Sequence, residues 1–201
     1  MGQIIFATGN KGKLREAQEI LGQEFEVLSP CLVGVEGEAE ETGSTLRENS
    51  LLKAAYLHEL RPSLLCFADD TGLEVDALDG APGVYTARYA GPACDFDDNM
   101  DKLLRELEGV PMAKRTARFR CVVTLFAGDG RPQFFEGVLE GRIAMAKSGA
   151  EGFGYDPIFI ADDYPDRTLA EVGEHLKNTI SHRYKALSLM RRALEAPVEN
   201  G

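Results

Sequence analysis

Ile4-Ile5-Phe6-Ala7 is an apolar run that breaks into Thr8-Gly9-Asn10-Lys11-Gly12-Lys13, after which Leu14, Ala17, Ile20 and Leu21 fall at helical spacing for one buried face. Strand, glycine-containing turn and helix together offer backbone N–H groups and a positive helix end to a phosphate. Gly9 and Gly12 let the backbone approach an anion, and Lys11 and Lys13 add mobile positive charge. The stretch is not a Walker A loop, because Gly12-Lys13 is followed by Leu14 and Ala7 stands where the first glycine belongs. The dinucleotide fingerprint, with its three glycines, does not fit either. A phosphate cradle and an ordinary strand-to-helix turn both account for these residues, and only their context separates the two.

The 201 residues suffice for one domain, 1–201, or two lobes sharing one core, and such a chain buries roughly 70% of its unfolded surface. A hydrophobic share of 44% with 27% charged residues is that of a globular protein, and no apolar stretch approaches the ~20 residues of a membrane span. The strand beginning at Gln3 lacks a basic leader and a small-residue cleavage site, so no signal peptide and a cytoplasmic location are expected. Cys31, Cys66, Cys94 and Cys121 are scattered without a CxxC pair, which predicts structural thiols rather than zinc ligands or disulfides. The net charge of −11 repels nucleic acid polymers. A small polyphosphate remains open to an acidic protein, because local lysines, amides and a metal can hold it.

Farther along, residues 25–28 read as a strand, and 36–41 form an acidic loop closed by Thr42-Gly43. A helix is predicted over 45–60, with Leu46, Leu51, Leu52, Ala55 and Leu60 as core candidates and Thr45 and Glu48 at capping-box spacing. Residues 64–68 are continuously apolar, as in a strand buried on both faces, and end in Asp69-Asp70-Thr71-Gly72. An ordered loop over 78–89, a helix over 97–107 and two strands over 118–126 and 133–141 follow, the strands joined by a turn at Gly128-Asp129-Gly130. A glycine-rich loop over 149–157 and a last helix from His182 to about Ala196 complete the pattern, which is α/β with a mixed sheet.

The sharpest chemical signal is Asp69-Asp70 at the end of that apolar strand, since ligands of α/β sheets bind outside the carboxyl ends of strands. Two carboxylates beside a polyphosphate suit Mg²⁺, and one of them can deprotonate an attacking water. Asp-Thr-Gly is equally good turn chemistry. Glu41 is a further candidate metal ligand within a loop that otherwise reads as a solvated charge run. Asp95, Asp97, Asn99, Asp101 and Glu106 imitate part of a calcium loop, but Met100 stands at the glycine position, so they read as an acidic helix start. Gly152-Phe153-Gly154-Tyr155-Asp156-Pro157 alternates glycine with aromatics that can stack on a base, with Asp156 as a purine-edge acceptor; a tight turn with core aromatics gives the same pattern. His182 and Arg183, after Lys177, read as ligand contacts or helix N-terminal residues.

The motifs at 8–13, 40–43, 69–73, 81–89, 152–157 and 181–183 come in an order and wording that resemble the inosine/xanthosine triphosphate pyrophosphatase family over essentially the whole chain. The resemblance implies an elongated mixed sheet flanked by helices, in two lobes with an active-site cleft between them. It implies cleavage of a nucleoside triphosphate between the α and β phosphates, a Mg²⁺ requirement and a homodimer. Carried over by position, Thr8, Gly9, Asn10, Lys11, Gly12 and Lys13 bind the triphosphate, Asn10 and Lys13 directly, and Lys53 lies near the phosphates. Asp70 becomes metal ligand or general base beside Asp69, with Glu41 as second metal ligand. Thr71, Phe153, Gly154, Tyr155, Asp156, Lys177, His182 and Arg183 fall in the nucleoside pocket.

Hypoxanthine and xanthine carry a 6-oxo acceptor where adenine has an amino donor. Backbone N–H groups or the Lys177 and Arg183 side chains aimed there would admit the oxygen and reject adenine by ~10⁴-fold. Two other readings stay open at this point: a related pyrophosphatase acting on pyrimidine or modified nucleotides, and a non-enzymatic nucleotide-binding regulator.

Overall fold

A computed structural model of the protein describes residues 2–128 and 130–195. Asp129 in the turn and Ala196 at the expected helix end lie outside the described residues. In chain order the elements are β1 (Gly2–Phe6), α1 (Lys11–Leu21), β2 (Phe25–Leu28), α2 (Leu46–Leu60), β3 (Cys66–Val75), β4 (Pro82–Gly83) and α3 (Phe96–Glu106). They continue with β5 (Thr116–Phe126), β6 (Pro132–Ile143), β7 (Phe159–Ala161), α4 (Leu169–Val172), α5 (Glu174–Ile180) and α6 (His182–Glu195). One sheet takes the order β2-β1-β3-β5-β6-β7, with β4 on β3. β1 runs parallel to β2 and β3, whereas β4 and β7 pair antiparallel with β3 and β6, so the sheet is mixed as expected.

Contacts divide the chain into two compact units. The first holds residues up to Asp70, Cys121–Gly137 and those from Arg183 onward. Its strands carry apolar residues on both faces, which explains their unbroken hydrophobic wording. Ile4, Phe6, Phe67, Cys121 and Val123 pack with Ala17, Leu21 and Leu187 of α1 and α6, the Phe6 and Phe67 rings stacked 4.3 Å apart. Ile5, Cys66 and Ala68 pack instead with Ala54 and Leu57 of α2. The capping box of Thr45 and Glu48 forms as its spacing predicts. Leu52 and Leu60 were expected inside, yet they are 38% and 43% exposed. The inward face of α2 is instead set by Leu46, Asn49, Ser50, Ala54 and Leu57, which puts two polar residues inside. Ser50 and Thr124 hydroxyls meet there at 2.8 Å, whereas the buried Asn49 Nδ2 finds no partner among the described residues.

The second unit holds Thr71–Arg120 and Val138–His182. Its core joins Leu73 and Val75 of β3 with Met100 and Leu103 of α3, Phe119 of β5, Leu139 of β6, and Tyr155 and Phe159. β3 therefore does not stop at Asp69-Asp70. The parallel partner β1 ends at the Phe6–Phe67 pair, while β3 runs on to Val75 and pairs there with β4. Leu73 and Val75 at alternate positions are a strand pattern that the turn-like Asp-Thr-Gly masked. The two carboxylates still lie just past the carboxyl end of the parallel pairing. Asp95 caps α3 by accepting from the Asp97 and Asp98 N–H groups, as an acidic helix start should. The short helices α4 and α5, of four and seven residues, carry too few turns to show a hydrophobic period. No helix among the described residues is long and apolar enough to cross a membrane.

Candidate active site

In the first unit the turn after β1 is organised by Asn10. Its Oδ1 accepts from the Gly12 and Lys13 N–H groups at 2.8 and 3.1 Å, and its own N–H donates to Thr8 Oγ1 at 3.2 Å. The sequence reading left those helix-start N–H groups free for phosphate; two of them are instead capped from within. A helix start without an anion must satisfy its orphan donors, and asparagine is well suited to it. Asn10 thus shapes the turn, while Lys11 is exposed beside it and Gly9 approaches Glu38 so closely that a Cβ would stand 3.0 Å from Oε1.

Asp69 is fully buried and ringed by positive charge. Its Oδ1 accepts from Lys13 Nζ at 2.8 Å, its Oδ2 from Arg183 Nε at 3.0 Å, and the Cys121 thiol lies 3.9 Å from Oδ2. Burial alone would raise its pKa, but the Lys13 and Arg183 charges outweigh burial and hold the carboxyl far below the usual range. Arg183 also donates to Glu16 at 2.5 Å and is itself buried. The chain of charges Glu16, Arg183, Asp69 and Lys13 alternates in sign, as groups excluded from water must. Arg183 reaches both acids from the start of α6. Glu16 escaped the sequence reading entirely, since an acid on an amphipathic helix looks solvated; its place three residues after Lys13 was the one available cue.

The pKa of Asp70 is shifted in the opposite direction. Burial raises its pKa, Lys53 only partly offsets this, and the nearby Glu41 and Asp69 charges push it up further. Lys53 Nζ donates to Asp70 Oδ1 at 3.1 Å and to Glu41 Oε1 at 2.7 Å. One ammonium therefore already draws Glu41 and Asp70 toward a single positive charge. Glu41 is carried there by α2: Asn49 Oδ1 accepts the Gly43 N–H at 2.8 Å, and a Cβ on Gly43 would stand 2.6 Å from Glu48 Cβ. Among the described residues no three His, Cys, Asp or Glu side chains converge as a metal cage. An all-oxygen pair of carboxylates is nevertheless the donor set Mg²⁺ accepts when phosphates and water complete its shell.

In the second unit, Phe153, Gly154, Tyr155 and Asp156 separate into distinct tasks. Tyr155 is buried, donates its hydroxyl to the Thr86 carbonyl at 2.8 Å and meets Phe96 edge-on, so it is a core residue. Phe153 is 57% exposed, with one face on Lys177 Nζ, 4.2 Å from the ring centroid. Asp156 Oδ2 accepts from Lys177 Nζ at 2.6 Å and from the Phe153 N–H at 2.9 Å. That oxygen is thus engaged within the protein. Gly152 and Gly154 take φ of +84° and +66°, which the tight path requires. His182 is buried against Phe119, ring centroids 5.0 Å apart, and Thr71 is half-buried on β3.

Comparison with known proteins accords with this arrangement. The model of the Ham1 family matches residues 4–193. The chain is 47% identical over 191 residues to the dITP/XTP pyrophosphatase of Porphyromonas gingivalis, covering 95% of this chain and 96% of that protein. It is 45% identical over 200 residues to the dITP/XTP pyrophosphatase of Listeria innocua, covering 99% and 98%. The solved HAM1 protein from Coxiella burnetii superposes with a TM-score of 0.88 at 40% identity, covering 98% of this chain and all of that one. A family match over residues 4–193, with relatives 45–47% identical over nearly the whole chain, makes this chain a member of the Ham1 family.

Proposed function

We propose that the protein hydrolyses noncanonical purine nucleoside triphosphates, ITP, dITP and XTP, to the monophosphate and pyrophosphate. The reading is carried by two adjacent carboxylates whose surroundings differ, Asp69 ion-paired to Lys13 and Arg183 and held well below the usual range, Asp70 shifted upward by burial and the neighbouring acids. In a chain nearly half identical to dITP/XTP pyrophosphatases, such a pair suits anhydride hydrolysis.

Thr8, Gly9, Asn10, Lys11, Gly12 and Lys13 bind the triphosphate, Asn10 by holding the turn and the two lysines by charge. Asp70 takes a proton from water, whose oxygen bonds to phosphorus as the α–β bridging P–O bond breaks and pyrophosphate leaves. Asp69 keeps Lys13 and Arg183 in place, and Lys53 steadies Asp70. Glu41 and Asp70 are the ligands for Mg²⁺, which when bound neutralises charge on the triphosphate. Phe153 offers its free face to a purine and the Lys177 ammonium backs the other face of the ring, while His182, Thr71 and Arg183 contribute to recognition of the nucleoside. A 6-oxo group accepts a hydrogen bond from a backbone N–H or a guanidinium, whereas the amino group of adenine opposes it with another donor. We place the enzyme in the cytoplasm as a homodimer; its four cysteines are free thiols, in keeping with a reducing compartment.

Incubation with Mg²⁺ and, separately, ITP, XTP, dITP, ATP, GTP and dTTP tests the reaction. Monophosphate and pyrophosphate are expected from the first three only. Single phosphate would replace anhydride cleavage at α–β with phosphatase action, preference for dTTP would move the substrate class to pyrimidines, and no turnover would leave a binding protein.

Gly152→Ala should raise KM for ITP about tenfold with a smaller change in kcat. Its Cβ would stand 3.0 Å from Asp156 Cγ and run into the Oδ2 that holds Lys177 and Phe153, at a φ of +84°. An unchanged KM would remove the loop from substrate binding.

A further inference from the structure

We propose that Ser148 and Glu171 are positioning residues that latch the loop carrying Phe153 and Asp156 onto α4, and that this latch sets how tightly the base is held. The inference rests on the reading of that loop as the base platform.

The loop closes on itself at its base, the Ser148 N–H donating to the Pro157 carbonyl at 2.8 Å. There the Ser148 hydroxyl donates to Glu171 Oε1 at 2.6 Å. The other carboxylate oxygen accepts the Thr168 N–H at 2.8 Å, so one side chain both caps α4 and grips the loop. The Thr168 hydroxyl lies 2.8 Å from the Ser148 carbonyl and so adds a second bond from the cap to the same residue. Backbone fit completes the contact: Gly149 sits at φ +82°, where a Cβ would stand 2.6 Å from the Ala170 carbonyl carbon. A helix of four residues has no stability of its own, so its cap and the loop form one unit that is lost or kept together.

This anchor is distinct from the one at the loop tip, where Asp156 joins Lys177 and the Phe153 N–H. The tip fixes the Phe153 ring over the ammonium. The latch fixes where that assembly stands. Ser148→Ala removes the hydroxyl–carboxylate bond alone, because the Thr168–Glu171 cap, the Thr168 bond to the Ser148 carbonyl and every backbone bond of the loop survive it.

The chain contains no tryptophan, so Phe153→Trp supplies a single indole at the loop tip. In that background, Ser148→Ala is expected to lower the fluorescence anisotropy of the indole and to weaken binding of IMP about fivefold, the worth of one hydrogen bond. Binding of inorganic triphosphate, which has no base, should stay unchanged. Glu171→Ala should reproduce the loss for IMP and exceed it, since it removes the cap as well. Equal anisotropy and equal IMP affinity with and without the Ser148 hydroxyl would overturn the latch, as would a parallel loss for triphosphate, which marks general damage. Failure of the indole to respond to IMP in the parent would count against the base platform, and the anisotropy comparison would still decide the latch.

Discussion

Asp70→Asn is expected to lower kcat for ITP about 10³-fold while the fold survives intact. The size follows from loss of a positioned proton acceptor, which contributes ~10²–10⁴-fold. The intact fold follows from the sign of the pKa shift. A carboxyl whose folded pKa lies above its unfolded value favours folding while protonated, and that favour is lost as pH rises through the folded pKa. At neutral pH the ionised Asp70 therefore costs stability, and the neutral amide removes the cost. Lys53 is not stranded by the change, because Glu41 remains 2.7 Å away. Thermal unfolding at pH 7 should show a Tm no lower than that of the unaltered chain. The pH profile supplies an independent check: kcat of the unaltered enzyme should fall as pH drops through a value above the ordinary carboxylate range, and the residual activity of the variant should lack that limb. Turnover within threefold of the original would exclude Asp70 as the base.

The ionic states of the two aspartates mark where sequence reasoning ended. Their position was legible, because an apolar strand followed by paired acids at a carboxyl end is a strong local pattern. Their division of labour was not. It depends on Lys13 from α1, Arg183 from α6 and Lys53 from α2, which are brought to one place by packing between elements 56, 114 and 17 residues away. Turn chemistry misled at one point: Asp-Thr-Gly looked like the end of β3 because local preference favours a turn, yet pairing with β4 extends the strand to Val75. In the turn after β1, Asn10 also caps the helix start through its Oδ1, a role its place in the glycine-containing turn did not single out. Long periodic elements, such as α2 and α3, announced themselves with nearly correct bounds; α4 and α5 are too short to do so. Phe153 and Tyr155 read as equivalent aromatics, and only burial shows that one faces solvent and the other the core.

Asp69→Asn should, by contrast, cost stability before it costs chemistry. Asparagine keeps the shape and loses the charge, which takes from the buried Arg183 and from Lys13 the carboxylate they share. Removing one partner from a buried ionic group costs ~3–5 kcal/mol. For a chain of about 200 residues each kcal/mol moves Tm by ~2–4 °C, so a fall of about 10 °C at pH 7 is expected. Here the pH dependence has the opposite sign to that of Asp70. The folded pKa of Asp69 lies below the unfolded value of 3.8, so its contribution is complete above that value and declines as pH falls toward the folded one. The Tm gap between the two chains should therefore be constant from pH 7 down to about 5 and close only below about 4. Activity should fall as well, through Lys13: once released from Asp69 the ammonium is no longer fixed over the turn, so KM should rise more than kcat falls. A gap that closed near pH 6 would mean that another group carries the stabilisation. A Tm within 2 °C of the original at pH 7 would show that the alternating chain of charges, although largely buried, contributes no net stability, as happens for buried ion pairs when desolvation cancels attraction.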